Sequence, residues 1–338
     1  MAPRVNRRWL LAARPDGMVG EEHFRWAEAP VPEVAENGQV LVEVLYLSCD
    51  PTQRGWMAFD GYMPAVGLGE VMRSFGIGRV LASRDPRHGP GDLVQGLLGW
   101  QSHALVDARS AHLTPVPPEV PIPLAMSALG VTGQTAYFGL LDVGRPAPGQ
   151  TVVVSGAAGA TGSVAGQIAR IKGCRAIGIA GGAEKCRWLT EEARFDAAID
   201  YRSEDVFKRL GELCPSGLDV FFDNVGGAML EAALAHLAMR GRVVICGAIA
   251  DYNRSRPPRG PRNYLNLLLK RGRMEGFLVL DYASRAGEAV QDLARWVETG
   301  EIRYQVDVVE GLENAPRALR RLFTGENIGK QLVRVQAP

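Results

Sequence analysis

The sequence predicts an α/β protein in which one domain holds a doubly wound parallel sheet and a second domain is rich in strands. Its 338 residues correspond to roughly two domains of ~150 residues. Up to about residue 120, Gly and Pro interrupt short alternating runs such as 40–46, which is typical of antiparallel strands and turns. From about residue 123, compact apolar runs alternate with longer helical patterns, which favours a parallel sheet covered by helices.

The composition is that of a soluble globular chain, with 46% apolar and 22% charged residues. The chain has 38 basic and 37 acidic residues, so its net charge is close to zero. It therefore lacks the overall positive electrostatic potential that would hold a nucleic-acid backbone or an anionic membrane. No apolar run approaches the ~20 residues that span a bilayer. We therefore expect a soluble, cytoplasmic protein, and a dispersed, odd number of cysteines fits a reducing cytosol: Cys49, Cys174, Cys186, Cys214 and Cys246.

The individual elements follow from the hydrophobic pattern. The segment from Arg4 to Arg14 is predicted to be the first strand, since its five consecutive apolar residues are too few for an export signal. A helical pattern that includes Ala286 and Leu293 stops at Gly300. Six buried strands are predicted at 152–155, 176–180, 197–200, 218–223, 243–247 and 274–279. We expect a strand-rich domain at 1–122 and 305–338, and a parallel-sheet, Rossmann domain at 123–304.

A glycine-rich turn at 156–162 joins the apolar strand 151–155 to a helical pattern at 163–172. Gly159 would let the backbone approach a pyrophosphate, and Gly162 would let the helix pack closely on the strand. The start of the helix would add free N–H groups and positive partial charge. This arrangement predicts a dinucleotide site, and its structural alternative is a tight turn without a ligand.

The tip of the second strand of this domain favours NADPH over NADH. An NAD enzyme usually has an acid about 20 residues after the turn, which binds the ribose 2′-hydroxyl, and Glu184 is the candidate for that role. However, Gly181 and Gly182 leave room for a phosphate, and Lys185 supplies a matching charge. Tyr201 closes the third strand and lies either beside the same ribose or packed at the sheet edge.

Motifs along nearly the whole chain resemble those of the zinc-independent branch of the medium-chain dehydrogenase/reductase superfamily that contains prostaglandin reductases and alkenal or alkenone double-bond reductases. The motifs are at 47–51, 54–57, 99–101, 132–137, 156–162, 223–227, 246–249, 252–253, 274–277 and 327–330. The resemblance implies a GroES-like β-domain and a Rossmann domain with substrate in the cleft between them, commonly as a homodimer. It also implies NADPH-dependent reduction of a carbon–carbon double bond conjugated to a carbonyl.

Carried over residue by residue, the resemblance assigns the cofactor site. The pyrophosphate would lie on the turn that includes Ala157, Ala158, Gly159, Ala160, Thr161 and Gly162. Lys185 and Tyr201 would lie at the adenosine 2′-phosphate and ribose, beside Gly181, and Asn224 would lie near the middle of the cofactor. The nicotinamide half would be surrounded by Cys246, Gly247, Ala248, Ile249, Phe277, Leu278, Val279 and Asn327.

The residues that hold catalytic zinc in metal-dependent relatives are missing from the sequence. No His occurs between Pro64 and Val80, and the lobe of four cysteines that binds structural zinc is absent. The five histidines show no ligand spacing, so surface or turn roles are expected for them: His23, His88, His103, His112 and His236. We predict no bound metal and interpret Cys49 as a buried strand thiol.

Without a metal, another group must stabilise the enolate that forms when hydride reaches the β-carbon of an enone. The candidates are Tyr252 and the ribose hydroxyl of the cofactor, since a phenol with an ordinary pKa of ~10 is a suitable hydrogen-bond donor. Tyr252 could instead pack on its loop. Trp56, Tyr62 and Trp100 would form apolar walls around a flat substrate, or pack structurally. Thr52 stands where family members often have Tyr, which changes the shape of the predicted pocket.

A basic segment supports a competing interpretation. Seven basic residues lie within 20 positions: Arg254, Arg256, Arg259, Arg262, Lys270, Arg271 and Arg273. A solvated loop is favoured over contact with an anionic substrate tail or cofactor phosphate, and over nucleic acid, because aromatic interleaving is thin and the net charge is only +1. The alternatives are a non-catalytic, NADPH-dependent RNA-binding protein and, among enzymes, an NADPH quinone reductase.

Overall fold

The computed structural model describes residues 5–255 and 260–336. The strands are β1 Val5–Leu11, β2 Phe24–Pro30, β3 Gln39–Ser48, β4 Phe75–Ser83, β5 Leu93–Leu97, β6 His103–Asp107, β7 Thr114–Pro115, β8 Thr151–Ser155, β9 Arg175–Ala180, β10 Ala197–Asp200, β11 Leu218–Asp223, β12 Leu237–Ile245, β13 Arg273–Gly276, β14 Val306–Glu310 and β15 Lys330–Arg334. The α-helices are α1 Gln53–Trp56, α2 Ile122–Met126, α3 Val131–Phe138, α4 Ala160–Ile171, α5 Ala183–Glu191, α6 Val206–Leu213, α7 Gly227–Ala235, α8 Leu265–Lys270, α9 Ala286–Glu298 and α10 Ala315–Thr324. Short 3₁₀ helices cover Glu21–His23, Val279–Arg285 and Leu312–Asn314, and a π-helical stretch covers Gly139–Gly144.

The first compact unit comprises residues 1–126, 252–255 and 307–338. Its main sheet has the strand order β14-β15-β3-β4-β5-β7, with β6 paired to β3, while β1 and β2 form an antiparallel ribbon. The long strand β3 is buried along most of its length and contributes Val42 and Leu47 to the core. It pairs with β15, β4 and β6, so both of its edges are occupied. The core of this unit includes Leu11, Val42, Leu47, Met72, Trp100 and Val333.

The second unit comprises residues 127–251 and 256–306. Its six parallel strands have the order β10-β9-β8-β11-β12-β13. The central strand β8 carries three consecutive valines, 152–154, that are fully buried, as expected for a parallel strand covered on both faces. The predicted fold class, an α/β protein with a Rossmann sheet and a separate strand-rich domain, is confirmed.

Two of the predicted strands end earlier than the apolar runs that suggested them. The run at 243–247 stops as a strand at Ile245, and the run at 274–279 stops at Gly276. These two residues are the last pair in the parallel register of β12 and β13. Beyond this pair the two segments separate, because the N–H groups of Cys246 and Gly247 donate to the Asp223 carbonyl, and a 3₁₀ helix starts at Val279.

The division into units differs from the predicted domain boundaries. The breaks fall after residues 126 and 306 instead of 122 and 304, and residues 252–255 belong to the first unit. The reason lies in Arg54, a buried residue whose Nε donates to Oδ1 of Asn253 at 3.2 Å. The same guanidinium donates to the carbonyls of Pro15 and Gly17 at 2.8 and 3.1 Å. This loop therefore belongs to the strand-rich unit.

Candidate active site

The second unit has a topological switch point between β8 and β11. From β8 the chain continues outward through β9 and β10 on one side, and through β12 and β13 on the other side of β11. In open α/β sheets, ligands bind beyond the carboxyl ends of the strands at such a point. Ser155 ends β8 and Asp223 ends β11, so the motif turns that follow these two residues lie at the edge where a dinucleotide binds.

The turn after β8 has the conformation that a dinucleotide site needs. Gly156 has φ +58°, a left-handed value that favours glycine. A side chain at Gly162 would collide with the Gly156 carbonyl, so close packing of α4 on the strand requires a glycine there. Gly159 precedes α4 as its N-cap and offers no side chain to the first N–H groups of the helix. These backbone donors fit a pyrophosphate. The predicted turn at 156–162 is shorter in the structure, because α4 begins at Ala160 instead of residue 163.

A buried serine and a buried aspartate connect the two strands at the switch point. Oγ of Ser155 donates to Oδ1 of Asp223 at 2.7 Å and accepts a hydrogen bond from the backbone N–H of Asn224 at 2.9 Å. Nδ2 of Asn224 donates to the Ser155 carbonyl at 2.7 Å. Asp223 is fully buried, and burial raises the pKa of its carboxyl. This network orients Asn224, the residue predicted to lie near the middle of the cofactor.

The segment after β12 runs beside the residues that follow β11. The N–H groups of Cys246 and Gly247 donate to the Asp223 carbonyl at 2.9 and 3.0 Å, and the Ile249 N–H donates to the Asn224 carbonyl at 3.2 Å. Four of the predicted cofactor residues thus lie together beyond the carboxyl ends of β11 and β12: Asn224, Cys246, Gly247 and Ile249. Burial raises the pKa of the Cys246 thiol to about 12, so this group stays protonated at neutral pH and is a poor nucleophile.

The residues predicted at the adenosine ribose come together at the ends of β9 and β10. A Cβ placed on Gly181 would lie 2.7 Å from Cζ of Tyr201, so only a glycine lets the phenol ring approach this closely. Tyr201 is 45% exposed and follows the last residue of β10 instead of belonging to the strand. Lys185 is half-buried in the first turn of α5. Gly181 and Lys185 therefore follow β9, and Tyr201 follows β10, so the three residues lie beyond the carboxyl ends of two adjacent parallel strands.

The segment after β13 differs from its prediction as a strand lining the nicotinamide. Phe277 packs its ring against Gly139, where a side chain would collide with it, and its centroid lies 6.5 Å from that of Tyr282. Leu278 is 39% exposed, and Val279 starts the 3₁₀ helix. The ring of Phe277 thus has a packing role within the second unit, and a contact of these residues with nicotinamide stays a prediction.

In the first unit the structure joins two of the predicted pocket residues and buries the other two. Oγ1 of Thr52 lies 2.6 Å from the hydroxyl of Tyr62, which is 48% exposed. Trp100 is fully buried in the core, 4.9 Å from the ring of Phe24, and Trp56 is also part of that core, beneath the guanidinium of Arg73. The burial of Trp100 and of Trp56 favours the alternative in which both rings pack structurally over a role as substrate walls.

The C-terminal motif forms an ion pair between a buried lysine and a half-buried aspartate that the sequence did not indicate. Nζ of Lys330 lies 2.5 Å from Oδ1 of Asp50 and donates to the Cys49 carbonyl at 2.9 Å. Cys49 is buried as predicted, but it follows the last residue of β3 instead of belonging to the strand. Burial raises the pKa of its thiol to about 12. Asn327, predicted near nicotinamide, is buried and donates to the Gly329 carbonyl at 3.0 Å. Its amide therefore stabilises the turn that leads into β15.

The predicted proton donor Tyr252 is half-buried and belongs to the first unit. Its neighbour Asn253 accepts the hydrogen bond from Arg54 described above, which fixes this loop.

Arg54 was part of a recognised motif, yet its role depends on three acceptors that are distant in sequence and that no pattern shows. Ser155 was missed in the same way, since its signal is only its place at the end of a strand.

Within residues 5–255 and 260–336, no three His, Cys, Asp or Glu side chains lie close enough together to hold a metal ion. Across the same part of the chain, no helix has both the length and the apolar character required to cross a membrane.

Three residues of the basic segment make local contacts. Nη2 of Arg262 lies 3.3 Å from Oε2 of Glu231, and Nε of Arg273 lies 3.1 Å from Oε2 of Glu275. Arg271 donates to the Leu269 carbonyl at 2.8 Å. Of the other four members, Arg254 is exposed, Lys270 is the half-buried last residue of α8, and Arg256 and Arg259 lie outside the described residues.

Fold and site together define a dehydrogenase-type chain that combines a strand-rich unit with a dinucleotide-binding sheet. Two family models match it, described as "N-terminal domain of oxidoreductase" over residues 7–115 and "Zinc-binding dehydrogenase" over residues 160–298. An NADPH-dependent curcumin reductase of Escherichia coli K12 is 40% identical over 336 residues, covering 98% of this chain and 97% of that protein. An NADP⁺-dependent 2-alkenal reductase of Nicotiana tabacum is 40% identical over 308 residues, covering 90% of this chain and 89% of that protein.

A solved structure supports the same relationship. CurA from Vibrio vulnificus in complex with NADPH superimposes with a TM-score of 0.92 at 38% identity, covering 98% of this chain and all of that one. The chain belongs to the zinc-independent medium-chain dehydrogenase/reductase family of prostaglandin reductases and alkenal double-bond reductases. The family predicted from the sequence motifs is therefore confirmed.

Proposed function

We infer that this protein is an NADPH-dependent reductase of the carbon–carbon double bond of α,β-unsaturated ketones and aldehydes. The observation that carries this inference is the turn between β8 and α4, whose glycines leave a backbone cradle at the switch point of the sheet. The names of relatives that are 40% identical state NADPH or NADP⁺ dependence and reduction of curcumin or 2-alkenals. The predicted cofactor and reaction class agree with these names.

The chain's own residues would bind and orient the cofactor, which supplies a hydride when bound. We propose that the N–H groups at the start of α4 hold the pyrophosphate, since an uncapped helix start favours an anion. Lys185 and Tyr201 would bind the 2′-phosphate and ribose. Asn224, oriented by Ser155, would bind the middle of the molecule.

We propose that Tyr252 donates a hydrogen bond to the carbonyl oxygen of the substrate as negative charge develops there. Hydride addition to the β-carbon converts the enone into an enolate, and a donor aimed at this oxygen lowers the barrier most when the charge is largest. The support for Tyr252 is its place in the family motif and the hydrogen bond that Arg54 makes to the next residue.

The test for Tyr252 is single-turnover hydride transfer to a simple enone, with NADPH affinity measured separately. Loss of one such donor costs about 2.7–4 kcal/mol in well-ordered sites, so Tyr252→Phe should lower the transfer rate roughly 10²-fold, or less if the cofactor ribose shares the role. The matched control is Tyr304→Phe, in the second unit. An unchanged rate in Tyr252→Phe would assign proton donation to the ribose hydroxyl or to solvent.

Catalysis without a metal is a separate prediction. It rests on the missing ligand constellation in the sequence, and it is tested by elemental analysis of active enzyme and by treatment with a chelator. We expect less than stoichiometric zinc and full activity after chelation. Inactivation that added zinc reverses would overturn this prediction.

A panel of enals, enones and quinones identifies the acceptor class. We expect NADPH oxidation with enals and enones, whereas turnover restricted to quinones would identify the quinone reductase alternative. The RNA-binding alternative predicts salt-sensitive RNA binding without turnover. The ion pairs of Arg262 and Arg273 with acidic side chains support the solvated-loop interpretation of the basic segment.

We propose that the protein acts as a cytoplasmic homodimer. Leu265, Leu268 and Leu269 on α8 are 56–71% exposed, and β13 is an edge strand of its sheet among the described residues. Exposed apolar side chains beside an unpaired strand edge are typical of a subunit interface. Sedimentation velocity should show a dimer that Leu268→Glu weakens. A wild-type monomer at micromolar concentration would contradict the proposal.

A further inference from the structure

The carboxylate of Asp200 connects two turns at the adenosine end of the proposed cofactor site. Asp200 is the last residue of β10, and its Oδ1 accepts hydrogen bonds from the N–H groups of Gly182 at 2.7 Å and Arg202 at 3.0 Å. Its Oδ2 accepts a hydrogen bond from Oγ of Ser203 at 3.0 Å. One side chain therefore determines how the turn after β9 sits relative to the turn after β10.

The side chain of Arg202 lies beside the glycine pair that leaves room for a phosphate. Gly182 has φ +100°, and a Cβ placed on it would lie 3.8 Å from Nη1 of Arg202. The neighbouring Gly181 faces the ring of Tyr201 in the same way. The guanidinium and the phenol thus flank consecutive glycines, on the turn that leads directly to Lys185.

We propose that Arg202 is a second cationic residue for the 2′-phosphate of NADPH, and that Asp200 is the positioning residue that holds Arg202 and the glycine turn together. This inference rests on the proposed NADPH-dependent function. A guanidinium presents a planar set of donors that matches phosphate oxygens, whereas a lysine contributes a point charge. A carboxylate turned toward the ribose would repel the phosphate, but both oxygens of Asp200 already accept hydrogen bonds from the two turns.

The experiment is calorimetric binding of NADPH and of NADH, which lacks the 2′-phosphate, to the full-length protein. Because Arg202 is exposed, Arg202→Gln should weaken NADPH binding by about 3- to 10-fold and leave NADH binding within about twofold. The matched control is Arg187→Gln, an exposed arginine on α5, which should change neither affinity.

The positioning role of Asp200 has its own signature. Asp200→Ala should weaken NADPH binding by a similar factor, while Asp200→Asn, which keeps the Oδ1 acceptor, should retain most of the affinity. Because Asp200 acts in part through Arg202, the double variant Asp200→Ala/Arg202→Gln should lose less NADPH affinity than the two single losses combined. A simple loss of structure would instead weaken NADH binding equally and make the two losses add.

Unchanged NADPH binding in Arg202→Gln would overturn the inference, as would equal losses of NADPH and NADH in Asp200→Ala. Enone reduction by the wild-type protein is measured in parallel and tests the reductase function independently. If Arg202→Gln weakens NADPH binding but not NADH binding, and the wild type reduces no enone, this inference is supported and the reductase function is rejected. If the wild type reduces enones but Arg202→Gln binds NADPH normally, only this inference is rejected.

Discussion

Two aspartates at the ends of strands in the same sheet have matching hydrogen bonds and opposite pKa shifts. Asp200 accepts hydrogen bonds from two backbone N–H groups and the hydroxyl of Ser203, and Asp223 accepts them from two backbone N–H groups and the hydroxyl of Ser155. Hydrogen bonds, first that from Gly182, lower the pKa of Asp200. Burial raises the pKa of Asp223, although its hydrogen bonds act in the opposite direction.

The difference shows that burial decides the sign of the shift when the hydrogen bonds are equal in number. Asp223 is fully buried at the switch point, and its Oδ2 has no hydrogen-bond partner among the described residues. Asp200 lies in the outermost strand of the sheet, next to exposed turn residues. The buried carboxyl is therefore suited to holding the scaffold of the cofactor site, and the outer one to positioning the groups that distinguish NADPH from NADH.

The largest expected effect is on folding stability, from Asp223→Ala. Each buried donor left without an acceptor costs about 1–3 kcal/mol, and this substitution leaves three, so the free energy of unfolding should fall by more than about 3 kcal/mol. Asp200→Ala removes the same number of acceptor contacts, but water can replace them, and we expect a loss under about 1 kcal/mol. Urea denaturation of the two variants checks the contrast, and equal losses would remove burial as its explanation.

The next effect is on cofactor choice, from Lys185→Ala. A charge-assisted contact with phosphate contributes ~1.5–3 kcal/mol, so the Michaelis constant for NADPH should rise about 10- to 150-fold while that for NADH stays nearly unchanged. The neighbouring Glu184→Gln is the control and should not impair use of NADPH. Equal losses with both cofactors in Lys185→Ala would show that the lysine does not recognise the 2′-phosphate.

The carboxyls of Asp223 and Asp200 should change the folding stability with pH in opposite directions. Because the folded-state pKa of Asp223 lies above the ordinary 3.8, its contribution to stability is full below pH 3.8 and is lost as pH rises through the raised value. For Asp200 the folded pKa is lowered, so its contribution is present above pH 3.8 and is lost as the pH falls through the lowered value.

Thermal unfolding across this pH range checks the signs. Relative to the wild type, Asp223→Asn should gain stability as pH rises above 3.8, and Asp200→Asn should gain stability as pH falls below it. Parallel curves for wild type and both variants would mean that neither carboxyl is shifted in the folded protein.

The smallest effect concerns the thiol beside Asp223. Burial raises the pKa of Cys246 and of Cys49 to about 12, so both thiols stay protonated near neutral pH. Treatment of the native enzyme with iodoacetamide at pH 7.5 should leave its activity nearly unchanged, and mass spectrometry should find these two positions unmodified. Rapid inactivation with alkylation of Cys246 would show that this thiol is accessible and ionised.

The sequence was sufficient to predict the elements that repeat a local pattern. All six predicted strands of the parallel sheet exist, and the glycine turn lies at the switch point, because apolar runs and glycine spacing are local features. The ends of β12 and β13 were wrong because they depend on the pairing register. The sequence left open whether Trp100 lines a pocket or packs structurally, because burial is decided by the packing of distant segments. The roles of Asp200 and Asp223 required knowing which N–H groups face each oxygen.

The central claim, reduction of a conjugated carbon–carbon double bond with NADPH, is tested most directly by isotope transfer. The enzyme would be given an α,β-unsaturated ketone and NADPH deuterated at the transferable position of the nicotinamide, and the product would be analysed by NMR. We predict a saturated ketone with deuterium on the former β-carbon. An unsaturated alcohol with deuterium on the former carbonyl carbon, or no transfer to any enone or enal, would contradict the account.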